Sequence, residues 1–396
     1  MTNLPDYHDA LIKALSIVNP LLDPETVPLS ACSGRVLVDP IRADRNLPPF
    51  NRAQMDGYAL HASDIGKVES FPVIATIAAG MPADVEVPVG HCVKIATGAP
   101  LPEDVDCVIQ HENSDRNDPV HFSIDTIEPG HAVHPLGADA KEGDVLLEAP
   151  ALLMAHHLGI AASVGATSLK VSRKPRVIVL SSGDEVVEEG AEVLTHQIRN
   201  SNGPLVTELL YRMGAEPLAN NHVEDELEAT IRMVDGSIKT ADLVITIGGI
   251  SAGERDYFPT AFDECGIERA LQGASIQPGK PIVVGKAPNG SIVVGLPGNP
   301  VSALACSCLF AWPIVKVMLG LPPTLPWMSV TLGEAVKPNP RRRAYRPAIM
   351  KEEAFVPTWA GSGDLSHTAP TDGLLELPVQ DDQVEAGTKL RFLPWP

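Results

Sequence analysis

The sequence is short of basic and aromatic residues. Its 396 residues include 30 Lys and Arg against 50 Asp and Glu, which gives a formal net charge of −20, and 4% of them are aromatic. Proteins that coat nucleic acid or adsorb to anionic lipid carry the opposite charge balance. The composition therefore argues against a nucleic-acid partner, and any anionic ligand needs a local basic pocket.

Cysteine and histidine motifs are missing as well. The 6 cysteines are scattered without a Cys-x-x-Cys pair, and the 12 histidines form no His-Glu-x-x-His. Scattered cysteines are typical of buried thiols in a reducing compartment. The N-terminal residues lack a basic region followed by an apolar one, and the apolar stretch 300–319 contains Pro313 and Lys316. We therefore expect a cytoplasmic protein with a core helix at 300–319 and no direct membrane insertion.

Two glycine-rich turns each end an apolar run, at Gly248-Gly249 after 243–247 and at 295–299 after 292–294. Neither fits Gly-x-Gly-x-x-Gly or the P-loop pattern, which argues against a nicotinamide oxidoreductase and a P-loop enzyme. A buried strand that opens into such a turn and then a helix offers backbone N–H groups to an anion. Ordinary tight turns are the alternative, but two of them favour a phosphorylated ligand at the carboxyl ends of a mostly parallel sheet.

The chain is too long for one core, and its patterns predict an α/β plus β protein of several subdomains. Strands alternate with helices only in the stretch from 174 to 322, where helices are predicted at 203–213 and 224–236. Short β runs separated by Gly, Pro and Asp turns predict β structure on both sides of it. Before it, strands are predicted at 73–77, 92–95, 107–110 and 120–124, and a helix at 150–159. The predicted division has four parts. They are an N-terminal and linker subdomain (1–45 with 136–173), an inserted β subdomain (46–135), an α/β domain (174–322) and a C-terminal β subdomain (323–396). Helix 6–18 is predicted to pack on the α/β unit.

With these turns placed, the chain resembles the MoeA/gephyrin E-domain family, the molybdopterin molybdenumtransferases. The resemblance extends over essentially the whole chain. Seven segments carry it in the family's order: 48–59 (PPFNRAQMDGYA), 96–100 (ATGAP), 137–139 (GAD), 182–185 (SGDE), 248–251 (GGIS) with Asp256, 278–281 (PGKP) and 295–302 (GLPGNPVS).

The resemblance implies an elongated homodimer with a three-layer molybdopterin-binding-like α/β domain, an inserted β subdomain and a C-terminal β-barrel-like subdomain. It implies insertion of molybdate into adenylylated molybdopterin, with Mg²⁺ and with release of AMP. It also implies a molybdopterin-adenylylating partner enzyme.

The resemblance assigns roles to individual side chains. The catalytic set is Asp56, Thr97, Glu185, Asp225 and Asp256, of which the last three would hold the metal. Divalent metals on phosphates prefer carboxylate oxygens, and a tetrahedral dianion prefers cations and hydroxyl donors. Asp56 and Thr97 are expected to reach the site from the other protomer. The substrate-binding set is Gly248, Gly249, Ser251, Lys280, Pro281, Gly298, Asn299, Ser302, Arg346 and Ser366. As alternatives, Asp225 could cap a helix and Glu185 could be a solvated turn residue.

Three positions depart from the family pattern. Gln277 and Gly273 replace expected lysines, and His134 replaces an expected arginine. The loss of two positive charges is expected to weaken oxyanion binding, and Gln277→Lys is expected to restore part of it. The departures also raise an alternative, in which the chain is a gephyrin-like scaffold that binds a peptide of a receptor, filament or division protein at the dimer groove.

Overall fold

The computed structural model describes residues 4–21, 23–250, 253, 256–357 and 361–396. They divide into two compact units. The larger unit comprises Met1–Thr26, Gly34–Val38 and Lys170–Pro396, and the smaller unit comprises Val27–Ser33 and Asp39–Leu169. The four-part division stays a prediction.

The first part of the chain is mostly short strands. Its elements are α1 (Tyr7–Leu15), β1 (Pro24–Pro28), β2 (Val36–Leu37), β3 (Ile41–Arg42), β4 (Arg52–Ala53), β5 (Gly57–Leu60), β6 (Val73–Ile77), β7 (Cys92–Ile95), β8 (Cys107–Gln110), β9 (Val133–His134), β10 (Val145–Leu147), β11 (Ala151–Leu152), α2 (Ala155–Ser163) and β12 (Ser168–Ser172).

Longer helices and strands alternate in the second part. They are β13 (Arg176–Ser182), β14 (Val186–Val187), β15 (Ile198–Arg199), α3 (Asn202–Arg212), β16 (Glu216–Val223), α4 (Leu227–Thr240), β17 (Leu243–Ile247), α5 (Phe258–Glu264), β18 (Glu268–Gln272), β19 (Ile276–Gln277), β20 (Val283–Lys286), β21 (Ile292–Leu296), α6 (Pro300–Cys306) and α7 (Trp312–Met318). The final strands are β22 (Met328–Thr331), β23 (Arg343–Met350), β24 (Ala354–Phe355), β25 (Gly373–Leu377) and β26 (Lys389–Pro394).

A six-stranded sheet in the order β16-β13-β17-β21-β20-β18 is the centre of the larger unit. The first four strands are parallel, β20 runs antiparallel to β21, and β18 runs antiparallel to β20. Every residue of β17 and β21 is buried, as expected for parallel strands covered on both faces.

Alternate residues of these strands belong to different hydrophobic cores. Leu243 and Ile245 pack in the core with α1, α3, α6 and α7, whereas Val244 packs in the core with α4 and α5. Helices therefore cover both faces, and the predicted three-layer α/β domain is confirmed.

The apolar stretch after the second glycine turn is a core helix. Pro300–Met318 is long and apolar enough to cross a membrane by length and composition, but 83% of its apolar window is buried within the protein. Five residues within it, Ser307–Ala311, form a π-helical turn between α6 and α7. The prediction of a core helix here is confirmed.

A second sheet in the larger unit has the order β19-β23-β25-β26-β22, and β24 pairs with β23. It encloses its own hydrophobic cluster, which includes Leu332, Ala348, Leu375 and Phe392. This C-terminal β structure agrees with the sequence prediction.

The smaller unit contains a four-stranded sheet in the order β6-β7-β5-β8. Strand β5 lies between β7 and β8 and is buried along its whole length. The predicted strands at 73–77, 92–95 and 107–110 have the predicted bounds and are β6, β7 and β8. The predicted run at 120–124 is not a strand, because its residues contribute only isolated bridges to Phe71 and Ser114. The predicted helix at 150–159 begins at Ala155, because Ala151–Leu152 is extended.

Candidate functional site

A cleft of about 710 Å³ lies at the carboxyl edge of the parallel strands in the larger unit. Residues that follow β13, β17, β21 and β16 all contribute to it, because parallel strands end at the same edge of a sheet. The described lining residues are Ser181–Val186, Ile198–Asn202, Asp225, Ile247–Ile250, Asp256, Pro281, Pro297–Pro300 and Gly363.

Both glycine-rich turns line this cleft and lie against each other. Gly248 N donates to Leu296 O at 3.0 Å, which joins the end of β17 to the end of β21. Gly249 has a φ of +55°, and a Cβ there would lie 2.9 Å from Ser182 Oγ. A side chain would therefore be strained and would collide, so this turn requires glycine. The predicted placement of the two turns at one sheet edge agrees with the structure.

Acidic side chains dominate the charge of the cleft. Asp184, Glu185, Asp225 and Asp256 line it, and Arg199 is the one basic side chain among its described lining residues. Burial raises the pKa of Asp225, and the negative charges of Asp184 and Glu185 raise it further. Neighbouring acids that oppose each other's ionisation favour a bound cation.

Asp225 does not cap the helix that follows it. Its Oδ2 accepts a hydrogen bond from Asp184 N at 3.2 Å, and Glu226 occupies the N-cap position of α4. The N-cap alternative is therefore wrong, since the carboxylate bonds to the β13 turn across the cleft edge. Asp256 Oδ2 accepts from Gly253 N at 3.0 Å.

The segment before α3 contributes residues that the sequence patterns did not single out. Asn200 Nδ2 donates to Ser181 Oγ at 3.0 Å, and Asn202 Nδ2 donates to Gly298 O at 2.6 Å. Asn202 Oδ1 is buried without a hydrogen-bond partner in the part of the chain that the structure describes. The Asn-Ser-Asn run before a predicted helix was a visible signal, but only the sheet order brings it to the cleft.

Lys280 and Pro281 reach this edge because β20 is reversed. They precede β20, whose amino end lies beside the carboxyl end of β21, with Val283 opposite Gly295. Pro281 lines the acidic cleft, whereas Lys280 lines a separate cavity of about 410 Å³.

The remaining substrate-binding predictions fall in different places. Gly298 and Asn299 line the cleft, and Asn299 Nδ2 donates to Ser362 Oγ at 2.9 Å. Ser302 is 4% exposed within α6, and Arg346 is half-buried on β23, where burial lowers its pKa. Ser366 Oγ donates to Asp364. These last three are not among the described residues of the cleft, so their roles stay predictions. Ser251 lies outside the described residues.

The structure brings Asp56 and Thr97 together in the smaller unit. Thr97 donates twice to Asp56 Oδ1, from its backbone N at 2.7 Å and from Oγ1 at 3.0 Å. These hydrogen bonds lower the pKa of Asp56, so the exposed carboxylate is ionised at neutral pH. His134 Nε2 lies 2.8 Å from Asp139 Oδ1, which places a hydrogen-bonded histidine where the family pattern has an arginine.

The other two departures have local explanations. Gly273 has a φ of +81°, and a Cβ there would lie 3.2 Å from Lys280 O. A lysine would therefore be strained at this position. Gln277 Oε1 accepts a hydrogen bond from Asn339 Nδ2 at 2.9 Å, which a lysine cannot do.

Among the described residues, no three His, Cys, Asp or Glu side chains form a set that could hold a metal ion by themselves. Magnesium is commonly held by one or two carboxylates together with substrate phosphates. The acids of the cleft therefore fit a magnesium ion that arrives with a phosphorylated ligand.

Comparison with known proteins covers nearly the whole chain. Residues 6–165 match the MoeA N-terminal region (domain I and II), 178–317 match a probable molybdopterin binding domain, and 329–395 match the MoeA C-terminal region (domain IV). The fold and cleft thus define a multidomain protein built around a molybdopterin-binding-type α/β domain. The chain belongs to the MoeA family.

Individual relatives agree with this assignment. A molybdopterin molybdenumtransferase of Synechocystis is 32% identical over 93% of this chain and 95% of its own length. Molybdopterin molybdenumtransferase 2 of Mycobacterium tuberculosis is 31% identical over 93% and 94%. A crystal structure of the molybdopterin biosynthesis moeA protein from Pyrococcus horikoshii has a TM-score of 0.87 and 25% identity, covering 99% of this chain and 100% of that one. The comparisons do not favour the scaffold alternative.

Proposed function

We propose that this protein is a molybdopterin molybdenumtransferase of molybdenum cofactor biosynthesis. It inserts molybdate into adenylylated molybdopterin and releases AMP. The observation that carries the proposal is the cleft at the carboxyl edge of the molybdopterin-binding-type domain, where two glycine turns meet four carboxylates. Asn202 Oδ1 supports it, because this buried acceptor is available to an N–H group of a pterin ring.

Magnesium is proposed as the cofactor. Glu185, Asp225 and Asp256 would hold it together with the phosphate oxygens of the substrate, and the raised pKa of Asp225 is consistent with a site that a cation completes. When bound, the ion would neutralise negative charge on the pyrophosphate of the substrate, which is cleaved to release AMP. The glycine turns orient the phosphates through backbone N–H groups.

The oxyanion is proposed to contact Lys280, Ser302, Arg346 and Ser366, as the family resemblance implies. Asp56 is proposed as a catalytic carboxylate that Thr97 holds ionised and oriented through its two hydrogen bonds. Because both residues lie in the smaller unit, we propose that a homodimer completes the site.

The cellular setting follows from the reaction. A cytoplasmic location is proposed, with a molybdopterin-adenylylating enzyme as the supplier of substrate. The net charge of −20 supports the absence of a nucleic-acid partner. Burial of the helix Pro300–Met318 supports the absence of membrane insertion. A peptide partner stays a prediction.

The test is a direct assay of AMP release from adenylylated molybdopterin by the full chain. We expect release that requires both molybdate and Mg²⁺, and complementation of a strain that lacks molybdenum insertion. The Synechocystis relative serves as the positive control under the same conditions. If that control releases AMP and this protein neither releases it nor complements the strain, the proposal is wrong.

A further inference from the structure

The cavity that contains Lys280 adjoins the acidic cleft. Its volume is about 410 Å³, and Ile250 and Pro281 line both spaces. A ligand in this cavity would therefore lie beside one in the cleft, with Pro281 between them. The two cavities belong to the same larger unit.

The charges of the two spaces differ in sign. Lys280 and Arg269 line the smaller cavity together with the amide of Gln272, and its described lining residues include no carboxylate. The cleft has four carboxylates and Arg199. In a chain of net charge −20, a space lined by two cations and no acid is a local exception that favours an anion.

Arg269 is held in place within this cavity. It lies on β18 opposite Gly285 of β20, and its side chain is 21% exposed. Asp263, whose side chain is 60% exposed, accepts a hydrogen bond from its Nη2. A guanidinium has five N–H donors in a rigid fork, so the bond to Asp263 orients Arg269 and leaves donors for a second anion.

The position of Gly273 shows why no side chain at that residue supplies a positive charge. A Cβ at Gly273 would lie 3.0 Å from Leu4 Cδ2 and 3.2 Å from Lys280 O, so a side chain does not fit there without strain. Gln277 is bonded to Asn339 and is not among the described residues of the cavity. Arg269 and Lys280 are then the two cations among the described residues that line this cavity.

We propose that Arg269 binds a free tetrahedral oxyanion together with Lys280. It supplies the positive charge that Gln277 and Gly273 do not. The inference rests on the proposed function, since the anion held there is the molybdate that the adjoining cleft consumes. Asp263 limits the affinity, because it competes with the anion for the guanidinium.

Two substitutions with opposite expected signs test this role. Molybdate and, separately, sulfate are titrated by calorimetry into the full chain without adenylylated molybdopterin. Arg269→Gln is expected to weaken binding about tenfold, the loss of one charge-assisted hydrogen bond. Asp263→Asn is expected to tighten binding about threefold, because it removes the competing charge. If the pair between Arg269 and Asp263 only stabilised the fold, both variants would bind the oxyanions more weakly than wild type.

Matched variants complete the design. Arg269→Lys keeps the charge but lacks the planar fork, so it is expected to bind more weakly than wild type and more tightly than Arg269→Gln. Arg232→Gln removes an exposed arginine paired with Glu228 on α4 and is expected to leave binding unchanged. Higher salt should reduce the difference between wild type and Arg269→Gln, since screening weakens the contact.

Several results would overturn the inference. It is wrong if wild type binds neither oxyanion, if Arg269→Gln binds like wild type, or if Asp263→Asn weakens binding. It is also wrong if AMP displaces molybdate, because the site would then hold a substrate phosphate. The AMP-release assay distinguishes this inference from the proposed function. If turnover is absent but the binding shifts are observed, only the proposed function is wrong. If turnover is observed without the binding shifts, only this inference is wrong.

Discussion

Carboxylates at the two ends of the six-stranded sheet have different neighbours and opposite pKa shifts. At the amino edge, Asp242 accepts hydrogen bonds from Arg173 Nη1 at 2.6 Å and from Arg176 N at 2.8 Å. Burial alone would raise its pKa, but these bonds and the arginine charges lower the pKa of Asp242 to about 2. At the carboxyl edge, Asp225 has acids as neighbours, and its pKa is raised.

The contrast separates a stabilising charge from a functional one. A paired, hydrogen-bonded carboxylate such as Asp242 lowers the free energy of the folded state. Clustered carboxylates such as Asp225 and Asp184 repel each other and are tolerated where a ligand compensates them. Substitutions at the carboxyl edge should therefore lower activity and preserve stability, whereas substitutions at the amino edge should lower stability and preserve activity.

The largest expected effect is on turnover at the carboxyl edge. Asp256→Ala should lower AMP release about a hundredfold, because the cleft loses one of the carboxylates proposed to hold the metal. Thermal unfolding should stay within about 1 °C of wild type, because Asp256 makes a local bond to Gly253. Asp235→Asn, at an exposed position of α4, is the matched control. Normal turnover by Asp256→Ala would contradict the assigned role.

The next effect is on stability at the amino edge. Asp242→Asn should lower the free energy of unfolding by about 3 kcal/mol, because two arginines lose their shared partner. Denaturant unfolding measures the change. Turnover per folded molecule should be unchanged, and a loss of turnover beyond the unfolded fraction would contradict the comparison.

The pH dependence of this stability has a defined sign. Because the folded-state pKa of Asp242 lies below its ordinary value, its contribution is present above about pH 4 and is lost as the pH falls towards 2. Wild type and Asp242→Asn should therefore converge in stability over this acidic range. A constant difference between them down to pH 2 would show that the carboxylate charge is not the cause.

A smaller effect of opposite sign is expected at Asp225. Asp225→Asn should raise the melting temperature at neutral pH by about 1 °C while AMP release falls, because the amide keeps an acceptor for Asp184 N and removes a repelling charge. The gain should shrink at acidic pH, where Asp225 binds a proton more readily when folded than when unfolded. A variant that is both destabilised and active would contradict this expectation.

The smallest effect is expected at Gln277. The sequence pattern predicts that Gln277→Lys tightens molybdate binding, but the structure shows its side chain bonded to Asn339 and absent from the described lining of both cavities. We therefore expect the dissociation constant of molybdate to change less than about threefold. A tenfold gain would mean that position 277, rather than Arg269, governs the oxyanion.

Much of the fold was predictable because buried parallel strands are continuous apolar runs. The segment 243–247 and the turns that follow β17 and β21 were visible for this reason. β16 was missed because the edge strand Glu216–Val223 is half polar, and its residues alternate between exposed and partly buried. The sequence EPLANNHV does not alternate apolar with polar residues, so its strand signal is weak.

The site was predictable only in part, because local sequence does not determine the order of strands in a sheet. Asp225 and Asp256 were identified through the family resemblance, whereas Arg199 belongs to a two-stranded ribbon with β14 whose pairing no local pattern indicates. Lys280 was found by resemblance, but its cavity and its neighbour Arg269 depend on β20, which runs antiparallel to both β18 and β21.

The reversal of β20 also determines which loop can change length. Residues 287–291 join β20 to β21 at the amino edge, opposite the cleft, and Gly290 N donates to Ala287 O to close the turn. Lys280 and Gly295 lie at the other end of the same hairpin. A few residues inserted at 289–290 would therefore extend the hairpin away from both cavities, which makes this loop a suitable place for an epitope or a fluorophore.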